Sequence, residues 1–232
     1  RQRQMCIRDS LRIETLIKLE KPDSLNEMDF LFSDFASIEE VKMNDRKTNK
    51  YIHNNDKLSI ELLSLEKMDI FIIYSLPIDS FENDGNIILT RPMKWCPFVY
   101  DDISSLKMKI ILPANYKAYS SGKEIESNNN IFEFYNELNA GFPVIMAKDE
   151  YYSEYRKNIE NIEIFFAFHN NDSALIYSIM NECVSTVEFC NDFIGNYSKD
   201  KLTFIEFPNA GYCQSIETFI LASEIFINYY NK

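Results

Sequence analysis

Hydrophobic and polar positions alternate along the first two-thirds of the chain, and this pattern predicts β-strands. In residues 11–20 every second side chain falls on one face, and the other face is mainly charged: Leu11, Ile13, Thr15, Ile17 and Leu19. The almost continuous apolar run MDIFIIYSL is typical of a central strand. Further strands are predicted at 28–35, 39–45, 57–66, 86–90, 106–112, 116–120, 131–135, 142–148 and 162–168. Because no long helix separates them, we expect antiparallel sheets, packed face to face or curved into a saddle.

A second periodicity begins near residue 170. Apolar side chains then recur at spacings of three and four, which predicts one face of a helix: Ile176, Met180, Cys183, Val187, Cys190 and Ile194. Asp172 or Ser173 suits its N-cap, and Gly195 suits its end. Strands are predicted again at 201–207 and 215–221. We therefore expect a domain boundary within 154–161, between a β domain at 11–155 and an α+β domain at 156–232.

Composition narrows the possible functions. The 232 residues carry 24 basic and 36 acidic side chains, a net charge of −12, which disfavours a nucleic-acid partner because phosphate contacts need clustered Lys and Arg. The five cysteines are odd in number and have no C-x-x-C spacing, so neither a disulfide framework nor a zinc ribbon is predicted. No apolar run reaches the roughly 20 residues that a membrane span needs. Residues 1–10 (RQRQMCIRDS) are basic and aperiodic, similar to adapter sequence at the edges of metagenomic reading frames, and we expect a non-native leader and a fragment.

Candidate catalytic groups are few. His53 and His169 have no metal-ligand spacing and are predicted to lie in loops. The five glycines never cluster, which excludes a G-x-G-x-x-G motif and a P-loop, and no G-x-S-x-G elbow occurs. Cys183 and Cys190 share a helix face and are predicted to be core thiols. The residue pattern alone therefore contains no assembled catalytic site.

Several stretches nevertheless resemble one protein family. They are LRIETLIKL, RPMKWCPFVYDD (91–102), FPVIMAKDEYY and, above all, FIGNYSKDKLTFIEFP (193–208). In this order they are similar to the aminopeptidase N family of zinc metallopeptidases, the gluzincins, over most of residues 11–232. The last stretch departs from the family pattern at Ser198, where the family has proline. The resemblance implies a mainly β fold: an antiparallel β-saddle or sandwich domain, followed by the α+β start of a thermolysin-like catalytic domain.

The resemblance also implies a substrate-binding loop. The family's G-x-M-E-N motif falls on Gly211, Tyr212, Cys213 and Gln214, with Tyr212 at the methionine, Cys213 at the glutamate and Gln214 at the asparagine. In the family this loop binds the peptide as an added strand, and its glutamate pairs with the free amino terminus. A thiol does not replace that carboxylate, which puts exopeptidase specificity in doubt. The alternative is that residues 210–215 form an ordinary loop between strands.

The family's zinc motif, H-E-x-x-H, does not occur in residues 1–232. The resemblance thus implies the N-terminal portion of a zinc-dependent aminopeptidase-like protein that hydrolyses peptide bonds near the N-terminus. It would hold no zinc and be inactive alone, with zinc and a peptide substrate bound by the full-length protein, in the bacterial cytoplasm or at a membrane. Two alternatives stay open: a non-catalytic β-saddle interaction module, and an unrelated β-sandwich binding module.

Overall fold

A computed structural model describes residues 10–20, 26–65, 67–80, 82–83, 86–89, 93–97, 103–112, 114–121, 123–128, 130–136, 144–148, 151–169, 172–207, 213–216 and 219–223. The chain divides into two compact units, Arg1–Ala147 and Lys148–Lys232. Within the described residues, no helix combines the length and the apolar character that crossing a membrane requires.

The strands and the long helix are, in chain order, β1 (Ser10–Glu20), β2 (Glu27–Leu31), β3 (Ser37–Met43), β4 (Arg46–Lys47), β5 (Tyr51–Asn54), β6 (Lys57–Glu61), β7 (Lys67–Pro77), β8 (Glu82–Asn83), β9 (Asn86–Leu89), β10 (Ile103–Ile111), β11 (Tyr116–Ser120), β12 (Lys123–Asn128), β13 (Ile131–Asn136), β14 (Val144–Lys148), β15 (Ser153–Ile159), β16 (Ile162–Phe168), α1 (Ser173–Ile194), β17 (Lys201–Phe207), β18 (Gln214–Ile216) and β19 (Phe219–Ser223). A 3₁₀ turn at Ile78–Ser80 follows β7.

The first unit is built on a seven-stranded sheet in the order β12-β13-β10-β1-β7-β3-β4. Strand β1 lies near its centre, and it pairs antiparallel with both β10 and β7. Smaller sheets have the orders β2-β6-β5 and β11-β14-β9-β8. The alternation of apolar and polar residues explains why β1 lies in the seven-stranded sheet with one face towards the core. Its predicted inward residues are all buried, while the residues between them are more exposed.

The core of this unit includes several large aromatic side chains. Trp95 and Tyr74 are among its largest fully buried side chains. Phe32 meets the Tyr74 ring edge-on, with ring centroids 4.9 Å apart. The hydroxyl groups of Tyr74 and Thr15 lie 3.5 Å apart in this interior. Burial of the side chain raises the pKa of the neighbouring Cys96 thiol to about 12.

The second unit contains a five-stranded mixed sheet in the order β15-β16-β17-β19-β18. Strands β16, β17 and β19 run parallel, and the two outer strands are antiparallel to their neighbours. Helix α1 connects β16 to β17, as parallel neighbours require. Asp172 caps the helix, because its Oδ1 accepts hydrogen bonds from the backbone N–H groups of Ala174 and Leu175. Gly195 ends it at φ 121°, a backbone conformation that favours glycine.

The predicted apolar face of α1 is buried only in its first half. Ile176 and Met180 are buried, Cys183 and Cys190 are half-buried, and Ile194 is 79% exposed. Length explains the difference. At about 1.5 Å per residue the 22-residue helix is roughly 33 Å long, whereas the seven residues of β16 span about 23 Å. The last turns of α1 therefore extend past the strands on which the first turns pack.

Other expectations differ from the structure. The single strand expected at 215–221 is instead two strands, β18 and β19, which pair antiparallel with Ile216 opposite Phe219. The charged stretch expected to hold the domain boundary forms β15 and the following turn, and the compact units divide earlier, between Ala147 and Lys148. His53 lies within strand β5 and not in a loop. Strands not predicted are β4, β5, β8, β12 and β15.

Candidate functional site

Strand β18 forms one edge of the five-stranded sheet. On its inner side it pairs with β19, in the register Gln214↔Leu221, Ser215↔Ile220 and Ile216↔Phe219. Within the described residues, no strand pairs with its outer side. An edge of this kind presents backbone N–H and C=O groups to which an extended peptide can add as a further strand.

The predicted substrate-binding residues lie at the start of this edge. Cys213 is exposed and directly precedes β18, and Gln214 is the first residue of the strand. Gly211 and Tyr212 lie outside the described residues. The structure therefore places two of the four predicted residues at the edge.

Glu206 is a buried carboxylate that the sequence interpretation did not single out. It lies near the end of β17, is 0% exposed and pairs in register with Ala222 of β19. Ala222 and Phe204 both belong to the apolar cluster that packs with α1, so Glu206 faces the same side of the sheet as that helix. The sequence KLTFIEF does contain an indication of this buried carboxylate, because an acidic residue follows two apolar residues on one face of the strand.

The side chain of Tyr152 contacts the backbone of Glu206. The Tyr152 hydroxyl donates a hydrogen bond of 2.8 Å to the carbonyl oxygen of Glu206. Burial raises the pKa of Tyr152 above its usual value, and the negative charge of Glu206 raises it further. Tyr152 therefore stays protonated and donates this bond across the physiological pH range.

The described residues do not form a metal site. His53 belongs to the first unit, where its Nε2 lies 3.1 Å from the carbonyl oxygen of Ser33 and its ring packs on Phe32. His169 belongs to the second unit, where its ring stacks on Tyr151 with centroids 5.9 Å apart. In the part of the chain that the structure describes, no three His, Cys, Asp or Glu side chains are placed to hold one ion. A zinc ion of the gluzincin type does not fit these residues.

Comparison with known proteins gives a match in structure alone. No protein-family model matches the chain, and no curated protein sequence matches it. The fold matches the M1 zinc metallopeptidase of Deinococcus radiodurans with a TM-score of 0.73 and 12% identity, over 93% of this chain and 56% of the other. It matches Legionella pneumophila aminopeptidase A, solved with aspartic acid, with a TM-score of 0.70 and 12% identity, over 90% and 28%. Yeast LTA4 hydrolase, solved with bestatin, matches with a TM-score of 0.69 and 12% identity, over 95% and 39%.

This chain has the fold of the M1 zinc metallopeptidases. The resemblance to the aminopeptidase N family and the mainly β, antiparallel fold are both confirmed at the level of the fold. An identity near 12% carries the comparison no further than the fold. The chain spans about half or less of the length of these M1 structures.

Proposed function

We propose that this chain is the N-terminal portion of a zinc-dependent, aminopeptidase-like metallopeptidase that hydrolyses peptide bonds near the N-terminus of its substrates. The observation that carries the proposal is the M1 fold over 93% of the chain. One M1 structure of similar fold holds a Tyr-Ser-Ala substrate. Peptides are accordingly the substrate class that we propose for the whole protein.

The proposal assigns a role to each part of the chain. Residues 11–155 would form the β-saddle domain, and residues 156–232 would begin the thermolysin-like catalytic domain. The two compact units divide between Ala147 and Lys148, which supports a domain boundary slightly earlier than residue 155. Zinc would be bound by residues of the full-length protein outside this chain, because the described residues offer no fitting ligand set.

Strand β18 would line the substrate cleft. The match that places Cys213 at the motif glutamate skips one position of G-x-M-E-N. Counted from Gly211 without a gap, the methionine, glutamate and asparagine positions fall on Cys213, Gln214 and Ser215. The gap-free count replaces glutamate by its own amide, a residue of almost equal size, and we adopt it here. In either count the carboxylate is missing.

The decisive experiment extends the chain. The native reading frame beyond Lys232 is sequenced, and the extended protein is assayed with aminoacyl-4-nitroanilides, with and without a chelator. We expect an H-E-x-x-H motif, hydrolysis that the chelator abolishes, and no hydrolysis by the 232-residue chain alone. The matched control is the extended protein with the first motif histidine changed to alanine.

A non-catalytic interaction module is the second candidate function, and the missing motif carboxylate favours it. The same extension separates the two functions. An intact frame with no H-E-x-x-H motif, or an extended protein that binds no zinc, would replace the peptidase by this module. Chelator-sensitive hydrolysis by the 232-residue chain itself would contradict the proposed division of roles.

A further inference from the structure

We propose that the outer face of α1 docks a helix of a separate partner protein, one that carries Lys or Arg beside an apolar stripe. The outer face consists of the exposed side chains on the side of α1 opposite the buried Met180, which are Ser178, Glu182, Ser185, Phe189, Asp192 and Phe193. These side chains form one stripe, because residues three and four apart share a face of a helix. The proposed peptidase function gives this stripe no role, so the inference does not rest on that function.

Two phenylalanines of the outer face project into solvent. Phe189 is 64% exposed and Phe193 is 78% exposed, and their rings stack with centroids 5.7 Å apart. Since a phenylalanine side chain buries about 200 Å² when it is covered, the pair holds about 280 Å² of aromatic surface in contact with water. A shallow, open depression beside the pair is lined by Asn181, Glu182, Ser185, Thr186 and Phe189. Contiguous exposed apolar surface of this kind is typical of an interaction site.

The charge of α1 identifies the class of partner. The helix carries Glu182, Glu188 and Asp192, and none of its 22 residues is Lys, Arg or His. Among the residues that the structure describes, no Lys or Arg forms an ion pair with any of these three carboxylates. The negative end of the helix dipole lies at the same end of α1 as the phenylalanines. A complementary partner is therefore positively charged around an apolar centre.

The spacing along the outer face suits a second helix. Ser178, Glu182, Ser185, Phe189 and Asp192 follow one another at intervals of four and three, which is the pattern along which two helices pack. The two serines are small and allow a close approach. A partner residue that faces either carboxylate has to supply a positive charge. A second copy of α1 would instead bring carboxylates against carboxylates, which disfavours self-association.

The outer face points away from the sheet of its own unit. Ile176 and Met180 pack α1 in the apolar cluster that it shares with β16 and β17. A helix on a sheet is a complete two-layer arrangement, in which the far side of the helix faces outward. We therefore assign the docked helix to a separate protein.

The test uses two synthetic helices of opposite charge. Fluorescein-labelled peptide amides, one with two repeats of LKKLLKL and one with two repeats of LEELLEL, are titrated with the 232-residue chain and followed by fluorescence anisotropy. The buffer contains about 150 mM salt, which screens distant charges. We expect the basic peptide to bind with a dissociation constant of about 10 μM, typical of a small interface, and the acidic peptide to bind at least about tenfold more weakly.

Variants locate the bound peptide on the outer face. Phe189→Ala and Phe193→Ala should each weaken binding about tenfold, and Glu182→Gln about two- to fivefold. The matched controls lie in the first unit: Phe35→Ala, at a side chain 63% exposed, and Glu27→Gln should leave the dissociation constant within about twofold. Alanine favours a helix over phenylalanine, so α1 stays folded in these variants, which far-ultraviolet circular dichroism checks.

Each other outcome overturns the proposal. The first is that the basic peptide does not bind, or that the acidic peptide binds equally well. Equal weakening by the control variants and the outer-face variants would mean that only the net charge of −12 attracts the peptide. Dimers in sedimentation equilibrium that Phe193→Ala dissociates would make a second copy the occupant. In a protein extended beyond Lys232, protection of Phe193→Cys from a thiol reagent would mean that the protein's own further residues cover this face.

Discussion

Two isoleucines on α1 allow the packing of the helix to be measured with a matched pair of variants. Ile176 is 1% exposed and Ile194 is 79% exposed, although both lie on the apolar face that the sequence predicts. Replacing isoleucine by alanine removes three carbon groups, which at about 0.8 kcal/mol each is roughly 2.4 kcal/mol when all are buried. The cavity left behind raises the cost at Ile176 to about 3 kcal/mol, while Ile194 has only about 0.5 kcal/mol to lose.

Helix propensity does not confuse the comparison. Alanine favours a helix over isoleucine by about 0.4 kcal/mol at both positions, so this term cancels in the difference. We expect Ile176→Ala to lower the free energy of unfolding of the second unit by about 2–3 kcal/mol more than Ile194→Ala does. This difference is typical of the truncation of one buried side chain.

Urea unfolding provides the assay. Ellipticity at 222 nm follows α1, and the fluorescence of Trp95, the single tryptophan, follows the first unit. With an m-value of about 1–1.5 kcal/mol/M, the difference between the variants corresponds to about 2 M in the ellipticity midpoint. A loss at Ile194→Ala as large as that at Ile176→Ala would refute the conclusion that the last turns of α1 extend past the strands.

Other regions give further tests. Asp172→Ala should destabilise α1 by about 1 kcal/mol in the same urea assay, and Asp172→Asn by a few tenths, because asparagine still caps the helix. The hydrogen bond from Lys94 lowers the pKa of Asp56, and a hydrogen bond from the backbone of Asp34 lowers it further. The contribution of Asp56 to the free energy of unfolding is therefore complete above pH 3.8, the pKa of the unfolded state. It is lost as the pH falls through the lower pKa of the folded state. Because the pair is half exposed, Lys94→Met should cost only about 0.5 kcal/mol at pH 7 and should flatten the acid limb of stability against pH; an unchanged limb would contradict the pairing. With a thiol reagent at pH 8, the exposed Cys213 should react within seconds to minutes, and the buried Cys96 should react only after unfolding; equal rates in the native protein would contradict their burial.

The sequence predicts best those strands whose own residues alternate between apolar and polar along their full length. In β1 and β7, alternate residues are buried along their length, and both strands were recognisable without knowledge of their neighbours. Strand β15 shows the opposite case. It is an edge strand with mostly charged or half-exposed residues, and its strand form depends on pairing with β16, which lies beyond a turn. Such pairing is not visible in a local pattern.

The candidate site shows the same limit. The motif match locates Cys213 and Gln214 along the chain, but it does not show that they begin an edge strand antiparallel to β19. The run SIETFIL predicts one strand because it contains no glycine or proline that would mark a turn, whereas the structure has two strands there, β18 and β19. The burial of Glu206 depends on α1 and β19, elements on either side of it in the chain, so spacing alone does not reveal it.

Helix α1 differs sharply between its ends. Its first turn is capped by Asp172 and followed by buried apolar residues, whereas its last turn has no basic residue to offset the negative end of the helix dipole and carries the acidic Asp192 there. Opening from the Gly195 end exposes little new apolar surface, and opening from the Asp172 end breaks the packed half. Deuterium should therefore enter the backbone amides near Phe193 well before those near Met180, and α1 should unwind progressively from one end.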